Sequence, residues 1–120
     1  MKVLIAEDNA VNRELLREVL EARGYEVIDA VDGQEALAKI EESRPNLVLL
    51  DIDMPLLDGF EVIRRIRENA QLQHLPVLAV TAYAMKDDRE RVIAAGFDGY
   101  VAKPVNAAML IHEMEQLLKA

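Results

Sequence analysis

The sequence predicts an α/β fold, a (βα)5 doubly wound parallel sheet of five strands, on three observations. Short runs rich in Val, Leu and Ile recur along the chain with the length of buried strands. Segments with helical spacing separate them. Residues that start and stop helices fall at the junctions.

Taken in order, the expected strands are Val3–Ala6, Tyr25–Ile28, Leu47–Leu50, Val77–Val80 and Tyr100–Ala102. Val11, Leu15, Leu16, Val19 and Leu20 mark the buried stripe of the first helix. Ala36, Leu37 and Ile40 mark the second, and Phe60, Ile63 and Ile66 the third. The segment Asp87 to Ala95 is the fourth helix, with Val92, Ile93 and Ala95 as its inner face. Leu110, Met114, Leu117 and Leu118 form the stripe of the fifth. Asp32-Gly-Gln-Glu35 and Asp58-Gly-Phe-Glu61 resemble capping boxes, with an acid at the N-cap and Glu three residues on. Gly24 and Gly96 stand where a left-handed residue ends a helix, and Pro45 and Pro76 stand shortly before strands. No linker or repeat interrupts the pattern, so residues 1–120 read as one domain.

Composition narrows the function classes. With 52% hydrophobic residues the chain is neither disordered nor fibrous. It has no cysteine, which removes disulfides and thiolate metal sites. The opening MKVLIAED is too short an apolar stretch for a signal peptide or a membrane span, which gives a cytoplasmic expectation. A formal charge of −8 opposes a nucleic-acid surface. The densest basic group, Arg64, Arg65 and Arg67, lies on a helix beside Glu61 and Glu68 and reads as a solvated face. His74 and His112 stand away from the acidic edge and read as surface or packing residues rather than phosphotransfer groups.

Open parallel sheets bind ligands beyond the carboxyl ends of their strands. At that edge the sequence places Glu7 and Asp8 after the first strand and Asp51 after the third. Thr81 and Ala82 follow the fourth strand, and Lys103 and Pro104 the fifth. Carboxylates gathered there need a shared proton or a cation, because two unit charges ~4 Å apart repel by about 4 kcal/mol at an effective dielectric near 20. Hard oxygen donors without His or Cys select Mg²⁺ or a similar ion. A metal and a lysine facing a carboxylate suit phosphoryl oxygens. Singly, each residue has a plainer reading: Asp51 as a turn former before Pro55, Glu7-Asp8-Asn9 as a helix cap, Asp53 and Asp58 as loop and cap residues. Their joint placement at one edge is what sets those readings aside.

The chain resembles the response-regulator receiver domain, the phospho-acceptor module of two-component signalling. The resemblance covers essentially the whole chain. It rests on Glu7-Asp8-Asn9, on Leu50-Asp51-Ile52-Asp53-Met54-Pro55 with Asp58-Gly59, on Thr81-Ala82, and on Gly99-Tyr100-Val101-Ala102-Lys103-Pro104. Stand-alone cell-cycle receivers and the receivers of hybrid kinases show the most similar opening and Val80-Thr81-Ala82 segment. The resemblance implies a flavodoxin-like sheet of order 2-1-3-4-5, and a phosphoryl group passed from a phosphohistidine of a histidine kinase or phosphotransfer protein to Asp51. It also implies Mg²⁺ bound by Asp8 and Asp51, by Glu7 through a metal-held water, and by the backbone carbonyl of Asp53. Thr81 and Lys103 would contact phosphoryl oxygens, Ala82 would stay small beside them, and the Lys103–Pro104 peptide would be cis. Asp53 brings an extra negative charge that is expected to alter phosphoryl lifetime.

Readout by the same resemblance runs from Thr81 to Tyr100, which would rotate inward from an exposed position and alter the face of the fourth helix, fifth strand and fifth helix. Tyr100 also reads as a plain amphipathic residue with its hydroxyl in water, and Met85 in Tyr83-Ala84-Met85 as either a partner contact or packing. Such a module is a signalling acceptor rather than an enzyme, although it assists its own phosphorylation and dephosphorylation. From another class comes the aspartate-nucleophile phosphohydrolase of haloacid-dehalogenase type, suggested by Asp51-x-Asp53. There the motif follows the first strand, whereas here it follows the third. A nucleotide or flavin binder lacks its glycine-rich loop here. A degenerate receiver used only for interaction is opposed by the complete set of acids, threonine and lysine.

Overall fold

A computed structural model of the chain describes residues 1–54, 57–82 and 86–118. Five strands alternate with five helices: β1 (Lys2–Ala6), α1 (Ala10–Ala22), β2 (Glu26–Ala30), α2 (Gly33–Ser43), β3 (Leu47–Asp51), α3 (Gly59–Glu68), β4 (Val77–Thr81), α4 (Lys86–Ala94), β5 (Gly99–Ala102) and α5 (Ala107–Leu118). All pairings are parallel, in the order β2-β1-β3-β4-β5. That is the doubly wound, flavodoxin-like arrangement, in which the chain reverses its direction of travel across the sheet between β1 and β3.

The sheet is buried on both faces. Leu4, Val48, Leu50 and Ala79 face a core closed by Ile40, Val62, Ile63, Ile66 and Val92, from α2, α3 and α4. Val3, Ile5, Leu49 and Leu78 face a second core closed by Leu16, Leu20, Leu110, Ile111 and Met114, from α1 and α5. Two-sided burial explains why β1, β3 and β4 read as unbroken apolar runs rather than alternating ones. The edge strand β2 differs, with only Ala30 fully buried and Asp29 bonded to Arg17 of α1 at 2.7 Å.

Local punctuation explains the boundaries. Asn9, Asp32 and Asp58 each cap a helix by accepting from the backbone N–H three residues on, at 3.0, 2.8 and 3.0 Å. The two expected capping boxes are only half formed. The Glu35 carboxylate accepts from Val31 N, one residue before the cap, and Glu61 turns to Arg64 and Arg65 instead. Gly24 ends α1 in the left-handed region at φ 87°, and Tyr25 N donates to Leu20 O. That bond ties Tyr25 to the helix stop, so β2 begins at Glu26, not Tyr25, and runs on to Ala30. At the end of α2 the left-handed residue is Arg44 (φ 50°), a position no glycine announces.

Two buried stripes need correction. In α1 only Leu16 and Leu20 are fully buried, while Val11 (69% exposed) and Leu15 (56%) face outward. The residue at 15 lies one step, about 100°, around the helix from Leu16, and the sheet covers the Leu16 side. In α4 Val92 is buried, but the next residue, Ile93, is turned the same angle away and is 45% exposed. The basic group on α3 also divides. Arg64 and Arg65 pair with acids of their own helix, as a solvated face does. Arg67 does not: it donates to the carbonyls of Gly96, Gln73 and Leu75 and to Asp98, fastening α3 to the entries of β4 and β5. His74 and His112 are exposed.

Candidate functional site

Three strand ends meet at the carboxyl edge of the sheet. Glu7 directly follows β1 and is 1% exposed, and Asp51 is the last residue of β3 and 2% exposed. Register accounts for their closeness, because Ala6 pairs with Leu50 on adjacent central strands. Lys103 follows β5, where its backbone N–H donates to Thr81 O at 2.8 Å. From there its Nζ reaches Asp51 Oδ2 at 3.0 Å and Glu7 Oε1 at 3.0 Å. The first contact is a hydrogen bond. The second lies in ion-pair range without hydrogen-bond geometry, and among the described residues Glu7 Oε1 has no hydrogen-bond donor.

The other expected residues fall around this centre. Asp8 is exposed, and its carboxylate joins those of Glu7 and Asp51 in a group whose oxygens lie within 4.8 Å of one another. The Asp53 backbone N–H donates to Asp51 Oδ1 at 3.0 Å, while the Asp53 side chain is exposed. Thr81, 1% exposed, ends β4, and Ala82 beside it is exposed. The Lys103–Pro104 peptide is cis. Tyr100 is half-buried against the α2–α3–α4 core rather than exposed, and the Arg89 guanidinium carbon lies 5.6 Å from its ring centroid. Pro55 and the segment Tyr83-Ala84-Met85 lie outside the described residues.

Two supports were not legible in the sequence. Arg13 Nη1 donates to the backbone carbonyl of Glu7 at 2.8 Å and holds the acidic turn. Gly59 lets the start of α3 press on the end of β3: a Cβ there would sit 2.7 Å from Ile52 Cα and 3.1 Å from Asp51 O. Backbone carbonyls as targets and close approaches of backbone to backbone leave no residue pattern of their own.

The electrostatics follow from burial. Glu7 is pushed up to about 7, first by burial, then by hydrogen bonding with Asp51, against the pull of Lys103. Asp53 is raised, by partial loss of hydration first, although its side chain is exposed, and by the charge of Asp51 second. Burial works against the charge on Lys103, but its hydrogen bond to Asp51 and the attraction of the Asp51 and Glu7 carboxylates outweigh it and raise its pKa. The donor set suits a hard divalent cation: oxygens only, two buried and one facing water, with Glu7 Oε1 short of a hydrogen bond.

Sheet order and acidic edge together define a doubly wound α/β module with its site at the carboxyl ends of the strands. The chain belongs to the response regulator receiver domain family, whose model matches residues 3–115. It is 42% identical over 116 residues to the polar-differentiation response regulator DivK of Brucella anthropi, covering 97% of this chain and 94% of that protein. Among solved structures it is similar to the chemotaxis protein CheY4 of Vibrio cholerae, with a TM-score of 0.91 at 32% identity and 98% coverage of both chains. It is also similar to the receiver domain of the Pseudomonas aeruginosa sensor histidine kinase PA1611, solved with a magnesium ion coordinated in its active-site cleft. That pair has a TM-score of 0.91 at 34% identity, covering 99% of this chain and 98% of the other. The chain is therefore a receiver of two-component signalling, and the phosphohydrolase and nucleotide-binder readings are not favoured. Among the described residues no helix is long and apolar enough to cross a membrane.

Proposed function

We propose that the chain accepts a phosphoryl group on Asp51 from a phosphohistidine of a histidine kinase or histidine phosphotransfer protein in the cytoplasm, and signals by altered protein contacts. The observation that carries this reading is the convergence of three strand ends, with Lys103 Nζ 3.0 Å from both the Asp51 and the Glu7 carboxylates. In the transfer an Asp51 oxygen bonds to phosphorus as the donor's P–N bond breaks. The imidazole keeps that electron pair and takes up a proton, leaving an acyl phosphate on Asp51. Positioning and charge neutralisation must do most of this, since a carboxylate is a modest nucleophile.

The chain's own residues supply the positioning. The Asp53 N–H fixes one Asp51 oxygen at 3.0 Å and Lys103 fixes the other at 3.0 Å. Lys103 then serves as a point charge for the phosphoryl oxygens, with the Thr81 hydroxyl as a further contact and Ala82 leaving the approach open. Glu7, Asp8 and Asp51, with the Asp53 backbone carbonyl, would hold Mg²⁺. When bound, that ion neutralises charge on the phosphoryl oxygens. The same groups assist both arrival and loss of the phosphoryl group, so the chain speeds its own modification without turning over a free substrate. Thr81 drawn toward a phosphoryl oxygen changes the space beside Tyr100, and the α4–β5–α5 face passes the change to a protein target. This is a population shift, driven by how much better the phosphoryl group interacts with one arrangement.

The test is incubation with Mg²⁺ and acetyl phosphate followed by intact-mass measurement. Wild type gains the mass of one phosphoryl group, and Asp51→Asn gains none. Equal labelling of Asp51→Asn, or continuous hydrolysis of a phosphomonoester without stable labelling, overturns the reading.

A further inference from the structure

We propose that Arg13 of α1 is a positioning residue for the divalent cation, its guanidinium pinning the backbone of the turn that carries Glu7 and Asp8. The inference rests on the reading of Glu7, Asp8 and Asp51 as ligands of that ion and concerns a residue outside the set. The three carboxylates are not held alike. Asp51 ends β3 with both oxygens engaged, one by the Asp53 N–H and one by Lys103. Glu7 is buried, its Oε2 accepting from Asn9 N at 3.5 Å and its Oε1 in ion-pair range of Lys103. The Asp8 carboxylate is exposed, and among the described residues no donor bonds it. Its place depends on the backbone that bears it.

That backbone lies between elements. β1 ends at Ala6 and α1 begins at Ala10, so Glu7, Asp8 and Asn9 belong to neither. The two ends of the turn are tied, Glu7 N donating to Ala30 O at 3.0 Å and Arg13 N to Asn9 O at 2.9 Å. Between them the carbonyls of Glu7 and Asp8 share one charged donor, Arg13 Nη1, at 2.8 and 3.4 Å. A bond from an ionised donor is about twice as strong as a neutral one. Removing a group that orients a metal's ligands typically costs about 10–100-fold in affinity. Arg13 holds the ligands' backbone rather than their carboxylates, which places it at the lower end. The sign of the effect separates positioning from charge. A guanidinium beside a cation site repels a second cation, so removing an arginine that did nothing else would tighten Mg²⁺ binding. Removing one that places the carboxylates loosens it.

The experiment titrates Mg²⁺ into wild type, Arg13→Met, Arg13→Lys and Arg17→Met and reads its dissociation constant from the rise in melting temperature. Arg17 stands one turn further along α1 and bonds Asp29 at 2.7 Å, so its loss loosens the helix without touching the acidic turn. Arg13→Met is expected to weaken Mg²⁺ binding roughly 10-fold. Arg13→Lys, which keeps the charge and a donor, recovers part of that loss. Arg17→Met lowers the melting temperature of the metal-free chain but leaves the dissociation constant within about 2-fold of wild type. Labelling of Asp51 by acetyl phosphate slows in Arg13→Met at low Mg²⁺ and returns toward the wild-type rate as Mg²⁺ is raised. Unchanged or tighter Mg²⁺ binding by Arg13→Met overturns the proposal. So does an equal loss in Arg17→Met, which marks a general loosening of α1, and so does a wild type that binds no Mg²⁺. A wild type that binds Mg²⁺ but takes no label overturns the acceptor reading alone, because the titration involves no phosphoryl transfer.

Discussion

The Lys103 ammonium lies 3.0 Å from Asp51 Oδ2 across 52 residues of sequence. Its side chain is 22% exposed, while those of Asp51 and Glu7 are 2% exposed. Removing the lysine leaves two buried acids facing each other without a counter-charge. Lys103→Met is expected to cost roughly 3 kcal/mol of folding stability near pH 8, in the range for breaking a buried ion pair. The cost should be less than half of that near pH 5, where a proton bound between the acids replaces the lysine. Urea unfolding at the two pH values checks this, and an equal loss at both contradicts it.

Arg67 makes a separate prediction, away from the site. Its guanidinium satisfies the carbonyls of Gly96, Gln73 and Leu75, and its partner Asp98 also accepts from Val77 N at 2.8 Å. Arg67→Met leaves these acceptors short of donors, which should cost about 2–3 kcal/mol. Arg64→Ala, on the same helix but paired only with Glu61 and Glu68 at the surface, should leave the urea midpoint close to wild type. Similar midpoints for the two variants would refute the clamp.

That contrast shows how far the sequence could be read. Spacing alone placed Arg64, Arg65 and Arg67 in one basic group, and nothing in it separates two arginines that meet acids of their own helix from one that meets loop carbonyls. The strands and the acidic edge were legible because two-sided burial writes unbroken apolar runs, and because parallel topology sends every strand's end to one side. The outward turn of Val11, Leu15 and Ile93 was not legible. Apolar spacing gives a helix's stripe, but the width the sheet covers depends on how the helix is rolled against it. The start of β2 was missed by one residue because Tyr25, apolar enough for a strand, is held by Leu20 O in the stop of α1. Gly59 reads as the first residue of a capped helix, although the distance from its hypothetical Cβ to Ile52 is what makes glycine necessary there.

Gly59→Ala therefore bears on both fold and site. A methyl group would meet Ile52 Cα at 2.7 Å, backbone that cannot swing aside as a side chain would. The start of α3 has to shift, at a cost of about 1–3 kcal/mol. The shift acts on the segment that carries Asp51 O and the Asp53 N–H, so labelling of Asp51 should slow by more than the stability loss alone accounts for. Comparing the labelling rate with that of Asp58→Ala, which removes a cap worth about 1 kcal/mol without crowding β3, separates the two effects. Equal rates in the two variants would show that the close approach does not position the acceptor.

Glu7 sets the pH dependence. Burial, then hydrogen bonding with Asp51, pushes its carboxyl up to about 7 from an ordinary 4.5. Between those values the folded chain holds more protons than the unfolded one, so stability falls as pH rises. This contribution is fully present below about pH 4.5 and is lost as pH climbs through about 7. Glu7→Gln removes a titrating group of that kind, and its stability should change less with pH across the same window. Metal binding needs the carboxylates ionised, so Mg²⁺ and the proton on Glu7 compete. Added Mg²⁺ is expected to raise the melting temperature more near pH 8 than near pH 6, and a chelator should reverse the gain. In Glu7→Gln the gain should be smaller and nearly independent of pH. Thermal unfolding with and without Mg²⁺ measures all of this. An equal Mg²⁺ effect at both pH values in wild type would mean that Glu7 carries no proton for the ion to displace.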